Sequence, residues 1–153
     1  MIAKRPALPA AASLLISAVT FVAPARADLK LCNFTPSRVG ISIGHRDTDN
    51  LISRNEILHS REVGVLFRPE SGRDFAGHRN RLLANRIVDT GGDNSIAVDI
   101  QGATEGIELR ENRIEETRGA AGRTAIRLGA ETTDIQLQNN RITGFAVEVQ
   151  QVK

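Results

Sequence analysis

The sequence predicts an all-β fold, a parallel β-helix (solenoid) of about five turns with three short strands per turn. Three observations lead to this fold class. Four eight-residue blocks align without gaps, a strand with alternating apolar residues separates successive blocks, and the sixth position of every block is asparagine. The blocks are residues 50–57, 80–87, 107–114 and 135–142.

The blocks share apolar and polar columns. The third position is always Ile or Leu, and the eighth is always Ile, which gives the column Ile57, Ile87, Ile114 and Ile142. The sixth-position residues, 30, 27 and 28 residues apart, are Asn55, Asn85, Asn112 and Asn140. Asparagine suits a corner because its short side chain tolerates left-handed backbone geometry. We therefore expect each block to form a strand, a one-residue corner at position six and a second strand.

A further strand lies between the blocks, with apolar residues at its second and fourth positions. These strands are residues 40–43, 64–67, 97–100, 125–128 and 146–149. No single turn of this pattern buries its own apolar residues. Stacking the turns about 4.8 Å apart would make continuous inner columns, with the asparagine amides hydrogen-bonded along the stack. The alternative of a leucine-rich repeat needs shorter, more constant repeats with an L-x-x-L-x-L core, and alternation disfavours amphipathic helices.

Over residues 39–149 the I-x-L strand followed by the N-x-I corner resembles the repeats of right-handed parallel β-helix proteins, the pectate-lyase-like fold family. The resemblance implies a right-handed solenoid. The family includes polysaccharide lyases, hydrolases, epimerases and non-catalytic scaffolds, so the resemblance implies a range of functions and no single one.

The first 27 residues have the three zones of a secretory signal peptide. Lys4 and Arg5 form a charged start, residues 7–23 are mostly apolar, and residues 25–27 supply small residues for cleavage. We therefore expect a signal peptide at 1–27, a lead-in segment at 28–38 and the β-helix at 39–153. An uncleaved membrane anchor is the alternative reading of the leader.

Export would place the protein outside the cell or in the periplasm. No second apolar segment follows, so we expect no membrane association once the leader is removed. Residues 28–33 and 37–44 are also similar to the start of a family of small exported bacterial proteins of unknown function.

The charge, cysteine content and aromatic content of the chain disfavour several classes of function. The net charge of +2 belongs to the leader, because residues 28–153 carry 17 basic and 18 acidic side chains. A nucleic-acid partner is therefore not expected. The single cysteine, Cys32, excludes an intramolecular disulfide. The chain has no Trp or Tyr for stacking against neutral sugars, whereas its many arginines could bind the carboxylates of an acidic polysaccharide.

In enzymes of the resembled family the working face is the first strand of each turn and the adjoining loops. The outward residues of those strands are expected to be Ser42, Leu66, Asp99, Arg127 and Glu148. If the protein is an enzyme, the resemblance implies Asp99 and Arg127 as catalytic residues. Asp93 and Asp99 would then hold Ca²⁺, which is the only cofactor expected. The alternative is that Asp99 and Arg127 form an ordinary cross-strand ion pair.

We therefore expect an exported, non-catalytic scaffold or a shortened relative of polysaccharide-active enzymes. The second candidate is a Ca²⁺-dependent lyase or epimerase acting on an acidic (uronate) polysaccharide, and such a polymer is the expected partner. A parallel stack also leaves an open strand edge at each end. End-to-end self-association is therefore a further expectation.

Overall fold

The computed structural model describes residues 19–20, 28–30, 33–34 and 37–153, and side chains from residue 37 onward. Most of the predicted signal peptide, and Cys32, lie outside the described residues. The cleavage site and the domain boundaries therefore stay predictions. Within the described ranges, no helix is long and apolar enough to cross a membrane.

The described chain is built almost entirely of short strands. Three precede the first complete coil: β1 (Val19–Thr20), β2 (Asp28–Lys30) and β3 (Asn33–Phe34). The first two coils contain β4 (Val39–Ile43), β5 (Leu51–Ser53), β6 (Glu56–Leu58), β7 (Val63–Phe67), β8 (Arg81–Leu83) and β9 (Arg86–Val88). The next two contain β10 (Ile96–Ile100), β11 (Glu105–Arg110), β12 (Arg113–Glu115), β13 (Thr124–Leu128), β14 (Thr133–Gln138) and β15 (Arg141–Thr143). The last strand is β16 (Val147–Gln151), and one short 3₁₀ turn (Arg73–Phe75) lies between β7 and β8.

Every pairing between these strands is parallel and joins one coil to the next. Sheet A has the order β1-β4-β7-β10-β13-β16, sheet B has β2-β5-β8-β11-β14, and sheet C has β3-β6-β9-β12-β15. The prediction of an all-β parallel β-helix with three strands per turn is confirmed. Four coils are complete, where the sequence suggested about five turns, and the additional strands lie at the two ends.

The core is a set of apolar columns that run through the stacked coils. Ile57, Ile87, Ile114 and Ile142 are paired in register from coil to coil in sheet C. The first three of them are at most 1% exposed. In sheet B the matching column is Ile52, Leu82, Leu109 and Leu137, and in sheet A it is Ile41, Val65, Val98, Ile126 and Val149. Each column excludes water only because a neighbouring coil covers it.

The block asparagines form a buried ladder beside the isoleucine column. The backbone N–H and Nδ2 of Asn55 both donate to Oδ1 of Asn85, at 3.0 and 2.9 Å. Asn85 donates in the same way to Asn112, and Asn112 to Asn140. The second Nδ2 hydrogen reaches a strand carbonyl of the preceding coil, as from Asn85 to the oxygen of Ile52 at 2.8 Å. The ladder therefore satisfies amides that would otherwise be buried without partners.

The left-handed corner residue differs from the expectation. It is the fifth position of each block, not the asparagine at position six. The four fifth-position residues, Arg54, Ala84, Glu111 and Asn139, have φ between 52° and 57°. A left-handed residue at position five turns the chain so that the next side chain points inward. The asparagine is therefore required for its buried amide rather than for its backbone tolerance.

Close packing at the start of the sheet A strands requires small residues. A Cβ atom on Gly64 would lie 2.7 Å from the carbonyl oxygen of Ala97 and 2.8 Å from Cγ2 of Ile87. A side chain at this position would therefore displace either the neighbouring strand or the isoleucine column. The glycine lets the corner isoleucine reach the inner side of sheet A.

Replacing Ile114 by alanine should lower the free energy of unfolding by about 2–5 kcal/mol, because it leaves a cavity between two covered coils. The exposed neighbour Arg113 is the control. Arg113→Ala removes only a surface ion pair with Glu115 and should cost no more than about 1 kcal/mol. Chemical denaturation measures both, and equal midpoints would contradict the assignment of Ile114 to the core.

Replacing Asn85 by alanine should cost about 2–3 kcal/mol, because it leaves two buried donors of Asn55 without their acceptor. Asn140→Ala is the matched control at the half-buried end of the ladder and should cost less. Thermal and urea unfolding of the two variants give the comparison. A larger loss for Asn140→Ala would show that the ladder does not stabilise the interior coils.

Candidate functional site

The outward row on sheet A is where the sequence places catalytic residues. The structure aligns Ser42, Leu66, Asp99, Arg127 and Gln150 in this row. The expectation that Glu148 belongs to the row is wrong. Only residues 144–146 connect β15 to β16, whereas eight residues connect β12 to β13. The short connection sets Val147 opposite Thr124, so Gln150 and not Glu148 lies beside Arg127.

Asp99 and Arg127 are neighbours in this row and form a closed ion pair. Nε of Arg127 donates to Oδ1 of Asp99 at 2.9 Å, and Nη2 donates to Oδ2 at 2.5 Å. The side-chain amide of Gln101 also donates to Oδ2 of Asp99. The Asp99 side chain is 2% exposed and that of Arg127 is 33% exposed. Both carboxylate oxygens of Asp99 are therefore engaged, while part of the Arg127 guanidinium reaches solvent.

Asp93 is held by a different arginine. It lies in the loop of residues 89–95, where its side chain is 86% exposed. Nη2 of Arg123 donates to Oδ1 of Asp93 at 2.8 Å. Asp93 and Asp99 thus each belong to a separate ion pair. Among the residues that the structure describes, no three His, Cys, Asp or Glu side chains cluster in a way that could hold a metal ion.

The densest charge cluster lies in two stacked loops, residues 89–95 and 116–123. At its centre is the Glu116 carboxylate, whose side chain is 0% exposed. Nε and Nη2 of Arg118 donate to its two oxygens at 2.9 and 2.7 Å, and Nε of Arg123 lies 3.3 Å from Oε2. The burial of Glu116 was not predictable from the sequence, because no pattern in a loop indicates which carboxylate faces inward.

Both arginines also bind the loop beneath them. Nη1 of Arg118 donates to the carbonyl oxygen of Gly91 at 2.9 Å, and Nε of Arg123 donates to that of Gly92 at 3.1 Å. Guanidinium groups that bridge a buried carboxylate and backbone carbonyls have few donors left for a ligand. The cluster therefore fastens one loop to the next.

Asp89 anchors the other side of this cluster. It accepts hydrogen bonds from the backbone N–H of Thr117 at 2.7 Å and from the Thr117 hydroxyl at 2.8 Å. Burial alone raises the pKa of Asp89, but the two Thr117 hydrogen bonds and the charge of Arg118 outweigh it and hold the pKa below its ordinary value of 3.8. The ionised form of Asp89 is therefore the one that the fold stabilises.

His78 is a structural residue. It lies between the 3₁₀ turn and β8. Nδ1 of His78 accepts the backbone N–H of Glu105 at 3.3 Å, so Nε2 carries the proton and donates to the carbonyl oxygen of Arg73 at 2.6 Å. The ring therefore joins the connection between β7 and β8, through the Arg73 carbonyl, to the start of β11 in the next coil, through the Glu105 N–H. His78 is buried, with 8% of its surface exposed.

Arg127 also lines an open cleft of about 370 Å³ at the turns that follow β10 and β13. The other lining residues include Gln101, Gly102, Gly129 and Glu131. The cleft is the place on this face where a small anionic group could contact Arg127.

Replacement of two buried aspartates, Asp89 and Asp47, by asparagine should change the free energy of unfolding with opposite signs. A depressed pKa means that Asp89 stabilises the fold above pH 3.8, and that this contribution is lost as the pH falls through 3.8 towards the lower folded value. Asp89→Asn should therefore lower the free energy of unfolding at pH 7 by about 1–3 kcal/mol, through loss of hydrogen bonds to a charged group. The deficit should shrink towards pH 3.

Asp47 is the matched control. Burial raises the pKa of Asp47, partly offset by the N–H of Gly44 and the charge of Arg68, so its ionised form costs the fold stability at neutral pH. Asp47→Asn should leave the free energy of unfolding at pH 7 unchanged or higher. Urea denaturation at pH 7 and pH 3 tests both variants, and the same sign for the two at pH 7 would contradict these assignments.

Comparisons with protein-family models, with curated proteins and with solved structures find no match to this chain. The pectate-lyase-like resemblance and the N-terminal similarity to small exported proteins therefore remain expectations from the sequence. The structure itself establishes a parallel β-solenoid with an ion-paired outward face.

Proposed function

We propose that the protein is an exported, non-catalytic β-solenoid scaffold. The observation that carries this proposal is the closed Asp99–Arg127 pair. A lyase of the resembled family needs a basic group directed at the substrate and carboxylates free to bind Ca²⁺. Here both Asp99 oxygens accept hydrogen bonds from Arg127 and Gln101, which favours a structural pair.

The distribution of charge supports the same proposal. An active cleft concentrates unpaired or mismatched charges, whereas a solvated scaffold pairs them along all its faces. Ion pairs recur on every coil of this protein. They include Arg38–Glu62, Arg68–Glu70, Arg79–Asp49, Arg86–Glu56, Arg113–Glu115 and Arg127–Asp99.

Export is part of the proposal and rests on the leader alone. The basic start, the apolar stretch and the small residues before Asp28 are the features that a signal peptidase substrate needs. Cleavage there would leave a chain that begins at β2. A secreted or periplasmic location follows from the same features.

The second candidate is a protein that binds or cleaves an acidic polysaccharide. One observation favours it: the part-exposed Arg127 lines the open cleft, and its partner Asp99 holds the guanidinium in place. An anchored guanidinium suits a uronate carboxylate. Ca²⁺-dependent lyase or epimerase activity would also require Asp99 to leave Arg127 and bind the metal with Asp93.

A direct assay separates the two candidates. The purified protein is incubated with uronate polymers, with and without Ca²⁺, and release of unsaturated uronides is followed by absorbance. A scaffold should release none under either condition, beside a lyase of known activity as the positive control. Ca²⁺-dependent release of unsaturated uronides that is lost in Asp99→Asn would contradict the scaffold proposal and show that the protein is an enzyme.

Calorimetric titration with Ca²⁺ should detect no binding tighter than millimolar, because the two candidate ligands Asp93 and Asp99 are each already ion-paired with an arginine. The matched variants are Asp99→Asn and Asp134→Asn, since Asp134 is an exposed aspartate of β14. A micromolar isotherm that Asp99→Asn abolishes and Asp134→Asn preserves would contradict the scaffold proposal.

A further inference from the structure

The two ends of the solenoid carry complementary parts of a coil. At one end β16 extends sheet A one strand beyond the last complete coil, whereas sheets B and C stop at β14 and β15. At the other end β2 and β3 precede the first complete coil in sheets B and C. A coil consists of one strand in each sheet. β16 of one molecule with β2 and β3 of another would therefore make one whole coil.

At the first end the edge strand of sheet A is β1, which, within the residues that the structure describes, pairs with Ile41 and Ser42 of the five-residue strand β4. β1 also lies inside the predicted signal peptide, so cleavage after Ala27 would leave the whole edge of β4 free. β16 is five residues long, as β4 is.

The opposite end exposes apolar side chains that correspond to buried ones in the interior. Val147 and Val149 are 41% and 43% exposed, although Val149 belongs to the column in which Val98 and Ile126 are 0% exposed. Leu137 and Ile142 are only partly buried for the same reason. No described coil covers β14, β15 or β16 on this side. The edge therefore presents open backbone groups together with apolar surface.

The register of the coils gives the contacts that stacking would make. In the backbone register, position 29 of β2 continues the row of Ile52, Leu82, Leu109 and Leu137, and position 34 of β3 continues the row of Ile57, Ile87, Ile114 and Ile142. Continuing these rows sets Leu137 beside position 29, Ile142 beside position 34 and Val149 beside position 41 of a second copy. All three junctions bring apolar residue types together. At the end of β16, the side-chain amide of Gln151 donates to the backbone carbonyl oxygens of Leu128 and Gly129.

We infer that a second copy of this chain stacks head to tail on this end, with its β4 edge against β16, its β2 against β14 and its β3 against β15. All strands run parallel, so the contact repeats by translation and leaves the same two ends free. Such a heterologous contact builds linear assemblies rather than closed dimers. The inference rests on the leader cleavage included in the proposed function, which removes β1 from the β4 edge. It does not depend on the scaffold role, since an enzyme with this fold would have the same ends.

The first experiment measures molecular mass against concentration. The protein is expressed from its full sequence, purified as it accumulates, and studied by sedimentation velocity and light scattering. The measured mass of the wild type should rise from that of a single chain to that of several chains as the protein concentration increases. Val149→Lys should stay at single-chain mass, because it puts a charge into the apolar junction. Gln150→Lys, on the outward side of the same strand, should associate like the wild type.

Val149 is already exposed in the single chain, so its replacement should not prevent folding, and circular dichroism checks this. A wild type that remains monomeric over the whole concentration range would overturn the inference. Association that Val149→Lys leaves unchanged would also overturn it, because the contact would then lie elsewhere.

The second experiment tests direction and register. Gln150 and Ser42 occupy the same outward row, so position 150 of one copy should face position 42 of the next. Parallel neighbours lie about 4.8 Å apart, within the Cα separation that a disulfide spans. In a Cys32→Ser background, the Gln150→Cys and Ser42→Cys chains should cross-link when mixed and oxidised. Efficient cross-linking of Gln150→Cys with itself would indicate a two-fold dimer and overturn the head-to-tail arrangement.

Discussion

A single coil of this chain can neither bury an isoleucine nor satisfy a buried amide, and the rest of the structure follows from that constraint. The corner isoleucine needs a coil above and below before it leaves water. The asparagine at position six needs the side-chain oxygen of an asparagine in the next coil and a backbone carbonyl oxygen in the preceding coil as acceptors. Apolar and polar requirements therefore select the same coil spacing and the same register, and the coils stabilise one another by neighbour contacts.

The variable loops between coils are fixed by charge rather than by apolar burial. The connection before β13 is held by Arg118 and Arg123, which join the buried Glu116 to carbonyl oxygens of the loop below. The connection before β8 is held by the two ring nitrogens of His78. Removing one partner of such a buried pair leaves an uncompensated charge, so these loops are sensitive to single substitutions. The polar and charged side chains in these loops therefore stabilise the fold.

The sequence was sufficient to predict the features that repeat. The isoleucine column and the asparagine column are visible because every coil imposes the same demand on the same position. Features that occur once were not predictable in this way. Nothing local to Glu116 or His78 distinguishes a buried side chain from an exposed one, since burial depends on the loop in the next coil. The predicted place of Glu148 in the outward row was wrong because the short connection between β15 and β16 shifts the register of β16 by two residues. A shift of two residues leaves the alternation of apolar side chains unchanged, so the sequence gives no sign of it.

The asparagine ladder also gives the stack an electrical direction. In each of its three links, Nδ2 of one asparagine donates to Oδ1 of the asparagine in the following coil: Asn55 to Asn85, Asn85 to Asn112 and Asn112 to Asn140. The amide dipoles are therefore aligned, and each bond polarises the next, so that longer ladders are stronger per rung than short ones. The alignment ends at Asn140 with a partial positive charge facing outward. Side-chain amides alone thus give this β-structure a macrodipole along its axis, of the kind usually associated with helices.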